Sequence, residues 1–344
     1  MNWKTKRLAD LITLERGFDL PKSSRIPGNV PVISSGKVEG THNKAKIKGP
    51  GFTIGRATNL GRPRWSDIDY WPLNTTLYAK DFHGNNPRWL YYLFMVMDLS
   101  GYDSGSVQPM LNRNYISEIP IQVPSIKEQD SIVSCISALD DKIAANQRTI
   151  QSADSLRNAL WDKLLKTNTE SLPLSSLAEF INGRAFTKNA TGTGRVVARI
   201  AELNSGIGSN TVFNDIEVHQ NHVVLPGELL FAWSGTLMTK RWPYDEAIVN
   251  QHIFKVLPIS KFDLWALELI IQSQIHYFQM IAAGKATTMG HIKRADLDKT
   301  VEVPTSIPDK LNILGNTLWT LATQAEQENQ TLARTRDELL PLLM

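Results

Sequence analysis

The sequence predicts an α+β chain: two pseudo-repeated mixed α/β domains separated by two long antiparallel coiled-coil-like helices. Three observations predict it. A motif near the N-terminus, "RLADLITLERGFDLPKSS" (7–24), returns as "SLAEFINGRAFTKNAT" (176–191). Both read Leu-Ala-acid, an apolar residue, then Gly or Asn-Gly and a Phe. Each globular stretch ends in a Val-Pro pair, in "IPIQVPSIKEQ" (119–129) and "TVEVPTSIPDK" (300–310). A heptad-patterned segment follows each pair. Internal duplication of this kind sets the architecture before any single element is assigned.

The first globular stretch, 1–125, holds strand-like runs at "VPVISS" (30–35), "GFTIGRA" (51–57) and "WPLNTTLYAK" (71–80), bounded by the turn signals "KGPG" and "LGRPR". "NNPRWLYYLFMVMDL" (85–99) reads as a helix with Asn86 as N-cap and Pro87 at the first helical position. Its aromatic and Met residues read as core. In the second stretch, 171–304, "VVARI" (196–200), "GELLFAW" (227–233) and "QHIFKVLP" (251–258) are the strand candidates, and "DLWALELIIQSQIHYFQMIA" (263–282) is the helix. The number of strand candidates predicts a curved or barrel-like sheet in each.

The helical segments are 126–170 and 305–344. The first helix, from about Ile126 to Lys166, has its seam at Ile132, Ile136, Leu139, Ile143, Asn146, Ile150, Ala153, Arg157, Leu160 and Leu164. The second, Asp309 to Leu343, has its seam at Leu311, Leu314, Leu318, Leu321, Ala325, Glu328, Leu332, Thr335, Leu339 and Leu342. Each seam carries a polar residue near its middle, Asn146 or Glu328, which costs stability and fixes register and partner. The simplest use is that the two helices, each about 50–60 Å long, pack on each other within one chain. Two independent dimerisation helices are the alternative. Antiparallel pairing predicts a domain at each end and an approximate two-fold axis. That geometry suits two half-sites on duplex DNA, where repeated modules sit roughly 34 Å apart.

Net charge is +3 over 344 residues, but it is unevenly spread. Residues 1–125 hold 16 Lys/Arg against 10 Asp/Glu; residues 126–170 hold 6 against 7; residues 171–304 hold 12 of each; residues 305–344 hold 3 against 5. The densest basic run lies between Lys37 and Arg64, where seven cations face Glu39 alone, with Gly and aromatic residues between them. Such a loop-rich surface suits phosphate. No run of apolar residues is long enough to span a membrane, and "MNWKTKRLADL" lacks the apolar core of a signal peptide. Cys135 is the one cysteine. A disulfide framework and a thiolate zinc site are therefore excluded, and a cytoplasmic location is expected. Cys135 itself is expected to be a buried structural thiol.

No credible catalytic constellation is present. A P-loop is absent, and "TGTGRVV" (191–197) lacks the third glycine of a dinucleotide fingerprint. "NNPR" (85–88) does not fit an amino-methyltransferase tetrapeptide, and "DDK" (140–142) reads as a solvated helix face rather than a nuclease triplet. The seven histidines, at 42, 83, 219, 222, 252, 276 and 291, show no metal-ligand spacing. Ser234 is not in a nucleophile elbow.

The residues resemble the specificity (S) subunit of type I restriction-modification enzymes. The matching stretches are "KRLADLITLERGFDL", "GFTIGRATNLGRPRW" with "WPLNTTLY", "VPSIKEQDSIVSCISALDDKIAANQRTI", "LAEFINGRAFTK" and "GELLFAWSGTLMTKRWPYDEAIVNQHIFKV". The Glu-Gln and Leu-Asp-x-x-Ile-x-x-Asn pattern of the first helix is specific, as is "WSGT…NQHIFKV". The resemblance implies that 1–125 and 171–304 are target-recognition domains, each reading half of a split sequence in double-stranded DNA. It implies that the helices pair, set half-site spacing and dock two methyltransferase (M) subunits, with motor-nuclease (R) subunits joining that core. It further implies no catalysis and no cofactor on this chain, with S-adenosylmethionine, ATP and Mg expected on partner subunits. The second helix departs from the pattern, lacking both the Glu-Gln and the Leu-Asp-x-x-Ile-x-x-Asn residues.

Within this reading, backbone phosphates call for exposed cations, and Lys44, Lys46, Lys48, Arg56, Arg62, Lys188, Lys240 and Arg241 are the candidates. Base edges call for Arg, Lys, Asn, Gln, Ser, Thr or similar donors and acceptors on loops. The candidates are Arg64, Ser106, Gln108, Asn112 and Arg113 in the first domain, and Arg195, Thr236, Lys285, Thr287, Thr288 and His291 in the second. The loops "GSVQPMLNRN" (105–114) and "GKATTMGHIK" (284–293) occupy the same place in the two repeats. The open alternatives are a self-sufficient DNA methyltransferase or nuclease, and a coiled-coil adaptor for protein or RNA.

Overall fold

The computed structural model describes residues 3–99, 101–102, 110–284 and 291–344. The chain divides into two compact units, Met1–Asp141 with Ala333–Met344, and Lys142–Leu332. The long helices α3 (Ile126–Leu165) and α6 (Asp309–Leu343) each contribute to both units. Their bounds agree closely with the heptad reading.

In the first unit, β1 (Lys4–Arg7) pairs antiparallel with β9 (Pro120–Val123). A four-stranded sheet runs in the order β2 (Thr13–Arg16), β8 (Thr76–Asp81), β5 (Gly51–Gly55), β6 (Pro63–Ser66). A three-stranded sheet has β3 (Val30–Ser34) between β4 (Lys37–His42) and the parallel β7 (Trp71–Pro72). The helix α1 (Pro87–Val96) starts where its cap predicts, with the Asn86 carboxamide oxygen accepting from the Arg88 and Trp89 amides at 2.9 and 3.2 Å. Its Trp89, Leu90, Leu93 and Phe94 are buried with Leu8, Leu11, Phe52 and Ile54. The four-residue helix α2 (Arg113–Ile116) precedes β9.

The second unit repeats this plan. β10 (Thr169–Pro173) pairs antiparallel with β19 (Thr300–Pro304). The four-stranded sheet is β11 (Ala178–Asn182), β18 (Ile253–Pro258), β15 (Leu229–Ala232), β16 (Met238–Arg241). The other sheet sets β12 (Arg195–Ala198) between β13 (Phe213–Asn214) and the parallel β17 (Ala247–Val249), with β14 (Val223–Val224) added at the far edge. A short helix α4 (Ile200–Ser205) follows β12, and α5 (Leu264–Gly284) is the counterpart of α1. Trp265, Ile270, Phe278, Phe231 and Val256 lie in its core.

The duplication is therefore one of topology as well as of motif. It also explains the repeated glycine. Gly17 and Gly183 follow β2 and β11, and a Cβ on either would collide with a backbone carbonyl, that of Leu73 or Asn250. Each glycine amide donates to the same place in its repeat, Thr76 O at 3.0 Å and Ile253 O at 2.9 Å.

Three expectations are corrected. Among the described residues each repeat has three small sheets rather than one barrel-like sheet. Turns cut the runs short; "WPLNTTLYAK" breaks at Leu73–Thr75, where the Thr76 hydroxyl donates to Leu73 O at 2.8 Å. Cys135 is exposed, because the inward face at this level is set by Ile136, a helical step of about 100° away. The third correction concerns the second seam. Leu314, Leu321 and Leu342 are 38%, 43% and 79% exposed, while Leu318, Trp319, Ala322 and Ala325 face inward. A straight helix repeats at 3.6 residues and drifts from a strict heptad.

The helices pair antiparallel within each unit. In the first, Ile136 packs with Leu340 and Tyr92, and the Arg336 guanidinium donates to Asp140 at 2.9 Å. In the second, Ile150 and Ala153 pack with Leu318, Ala322 and Ala325. There the Asn146 carboxamide donates to Glu328 at 2.7 Å, so the two mid-seam polar residues meet each other. Among the other seam residues, Ile132, Leu139, Ile143, Leu332 and Leu339 are half-buried, and Leu160 joins the main core of the second unit.

Candidate nucleic-acid interface

In the first unit Lys44, Lys46 and Lys48 are exposed on the loop between β4 and β5. The Lys46 ammonium lies 5.5 Å from the Phe18 ring centre and 5.2 Å from that of Trp71, an aromatic seat that holds the cation at the surface. Arg62 is exposed just before β6, and Arg64 is exposed on it, opposite Thr53. Arg56 leaves the end of β5 and comes together with Arg113, Asn112, Met110 and Leu77 around a cleft of about 320 Å³. Arg16, at the end of β2, lines the same cleft and is absent from the sequence candidates. The Asn112 carboxamide oxygen accepts from the Asn114 amide at 3.0 Å, so this side chain caps α2 rather than pointing outward uncommitted. Arg113 donates to Leu14 O at 3.3 Å. Ser106 and Gln108 lie outside the described residues.

In the second unit Lys188 is exposed on the turn after β11, Thr236 is exposed between β15 and β16, and Lys240 is half-buried on β16. Arg195 is spent on structure, donating to Glu246 at 2.9 Å and to Ile216 O at 2.7 Å. Arg241 is a correction. It is 4% exposed, bonded to Glu326 at 3.0 and 3.1 Å and stacked on Trp319 at 4.9 Å. Alternation along β16 turns it inward next to outward Lys240, and no backbone phosphate reaches it. His291 is half-buried with its ring 6.3 Å from Trp233, which also meets His252 at 5.0 Å. Lys285, Thr287 and Thr288 lie outside the described residues.

Sequence reasoning missed Arg16, Trp233 and His252. Aligning the two repeats on their hydrogen bonds finds them. The Arg56 amide donates to Thr75 O at 2.9 Å, and the Trp233 amide to His252 O at 3.0 Å. Leu111 donates to Arg56 O at 2.8 Å, and Ile292 to Trp233 O at 3.2 Å. Arg56 and Trp233 are thus equivalent, and so are Arg16 and Asn182, which pair with Leu77 and Phe254 of equivalent strands. One backbone frame presents two chemistries, guanidinium in one repeat and an indole with two imidazoles nearby in the other.

The motif residues of α3 have physical roles in the first unit. Glu128 accepts from the Ser125 amide and hydroxyl at 2.8 Å each, a capping box. Gln129 is fully buried; its oxygen accepts from the Asn86 amide at 2.9 Å and its nitrogen donates to Asn85 at 3.0 Å. Asp140 accepts from the Tyr92 hydroxyl at 2.7 Å and from Arg336.

Among the described residues no cluster of three or more His, Cys, Asp or Glu is placed to hold a metal. No helix there is long and apolar enough to cross a membrane.

Residues 1–154 match the family model of the type I restriction modification DNA specificity domain. Over 304 residues the chain is 22% identical to the type I restriction enzyme MjaIX specificity subunit of Methanocaldococcus jannaschii, spanning 75% of this chain and 68% of that protein. The crystal structure of the type I restriction-modification system S subunit from M. genitalium aligns over 100% of this chain and 96% of its own, with TM-score 0.62 and 14% identity.

Proposed function

From the match of residues 1–154 to the type I restriction modification DNA specificity domain, we propose that the chain is the sequence-reading, non-catalytic subunit of such a system. Each repeat reads one half of a bipartite target in double-stranded DNA. The helices set the spacing of the half-sites and dock two methyltransferase subunits, with motor-nuclease subunits joining indirectly. Catalysis then belongs to those partners, together with S-adenosylmethionine, ATP and Mg. The observation that carries this reading is the duplication: one chain builds the same three-sheet fold twice and gives the two copies different side chains at equivalent positions, exposed at Arg16 and Asn182 and half-buried at Arg56 and Trp233. A molecule that recognised one ligand twice would have no physical reason to diverge there, whereas two different half-sites require it.

The test is to express the chain with the methyltransferase encoded beside it and to map methylated bases genome-wide, with and without the chain. A split motif that appears only with the chain is expected. Methylation that persists unchanged without it would overturn the proposal, and so would methylation by the isolated chain, which would make it an enzyme. An adaptor for protein or RNA would leave DNA binding weak and indifferent to sequence even with the partner present.

A further inference from the structure

The cleft beside α2 in the first unit is lined by three arginines, Arg16, Arg56 and Arg113, and by no carboxylate among the described residues. Arg113 is partly satisfied by Leu14 O at 3.3 Å. The side chains of Arg16 and Arg56 have no hydrogen-bond or ion-pair partner among the described residues. The nearby acid, Glu15, is already taken: it accepts from Lys80 at 2.6 Å and from the Tyr78 hydroxyl at 2.9 Å. Like charges gathered around one concavity repel, and an unpaired guanidinium keeps its full set of donors open. The arrangement is most stable when an acceptor-rich anion sits in the cleft.

The fold does not require this charge. The second repeat keeps the same backbone hydrogen bonds with Asn182 and Trp233 at the positions of Arg16 and Arg56. There the pair is self-satisfied, the Trp233 indole donating to Asn182 at 2.8 Å. The arginines are therefore an addition to the first repeat and not a condition of its folding.

Resting on the reading of the chain as a DNA-binding subunit, we propose that this cleft seats a backbone phosphate of the DNA. The first repeat would thereby anchor the duplex by a contact blind to sequence, one for which the second repeat has no equivalent at these two positions. Shape decides for phosphate over a base edge. The phosphate ridge protrudes from a duplex and fits a concavity, whereas base edges lie at the floor of a groove and are reached by protruding side chains. Two guanidinium forks around one phosphate give the short, charge-assisted bonds that such a contact favours.

The test is the salt dependence of DNA binding by the full chain in complex with its methyltransferase, on a duplex bearing the mapped motif and on an unrelated duplex. Arg16→Ala and Arg56→Ala are each expected to weaken both duplexes by roughly the same factor, on the order of tenfold, and to flatten the log–log salt slope by about 1. The methylated motif stays unchanged. Arg16→Lys keeps the slope, because the charge remains, and Asn182→Ala leaves it as in the wild type. Equal melting temperatures for wild type and variants establish that folding is not the cause. Variants with the wild-type slope would overturn the phosphate seat. So would a motif relaxed at one position with the slope intact, which would make the arginines base readers. A wild type that shows no sequence preference in the same assay would instead overturn the proposed function.

Discussion

In the first unit the start of α1 is tied to α3 by Gln129, whose buried carboxamide bridges the Asn86 amide and the Asn85 side chain. At the same corner of the second unit, Asp263 before α5 accepts from Asn312 and Asn316 of α6, at 2.8 and 2.6 Å, and Asn312 in turn accepts from the Trp265 indole. Further along, the first unit gathers Arg88 and Arg336 around Asp140, with the Tyr92 hydroxyl as a third partner. The second buries Arg157 against Glu268 and Asp154, at 2.9 and 2.7 Å, and stacks Arg157 and Arg241 on the indole of Trp319. A duplicated backbone thus keeps its joints and changes their chemistry. What the repeats share is topology, backbone hydrogen bonds and the two close-approach glycines; what they do not share at these joints is the side-chain contacts. For that reason the missing Glu-Gln and Leu-Asp residues of α6 leave no hole in the second unit.

This comparison can be broken most sharply at Arg157. Its side chain is 3% exposed and its partner Glu268 only 9%. Arg157→Ala strands a buried carboxylate, and a loss of about 3–5 kcal/mol is expected in denaturant unfolding. Burial already pushes the Glu268 carboxyl above its usual range, with Arg157 opposing that shift. A carboxyl raised in the folded state adds stability below its unfolded value and loses it as pH rises through the folded one. Without Arg157 the folded value climbs further, so the variant recovers stability as pH falls. A loss independent of pH would contradict this account of the cluster.

The glycines come next. Gly17→Ala and Gly183→Ala each push a methyl into a carbonyl, and about 2–3 kcal/mol is expected from each, measured by thermal melts. Similar losses in the two would sharpen the equivalence of the repeats; a neutral Gly183→Ala would break it. Tyr92→Phe removes a hydroxyl bonded to a carboxylate at 2.7 Å and is expected to cost about 1.5–2 kcal/mol. The smallest effect is at Lys142, which reaches Glu328 at 3.1 Å across a largely exposed pair. Asn146 and Lys142 together hold the Glu328 carboxyl below its usual range. Lys142→Ala is expected to leave the melting temperature unchanged within error, since exposed pairs contribute little.

Much of this was legible in the sequence where local chemistry decides. The α3 and α6 bounds, the Asn86 cap and the mid-seam places of Asn146 and Glu328 follow from heptads, capping and the two Val-Pro signals, whereas the contact between those two residues is given by the packing. The inward turn of Arg241 was not legible, because the acid that claims it, Glu326, lies 85 residues away. Leu314 and Leu321 fit a heptad, but Trp319 and the small Ala322 and Ala325 set the real inner face, which only packing decides. Arg16 was passed over because it stands at a strand end beside a conspicuous Gly-Phe motif. That its side chain has no partner among the described residues depends on what surrounds it in space.

Whether each repeat reads its own half of a split sequence is tested most directly by exchange. In a chain where residues 171–304 are replaced by a second copy of residues 1–125, co-expressed with the same methyltransferase, the methylated motif is mapped again. Two copies of one reader on an antiparallel helix pair predict a motif whose halves are the same sequence in inverted orientation, each matching the half assigned to the first repeat. A folded chimera that still methylates the original asymmetric motif would contradict the account.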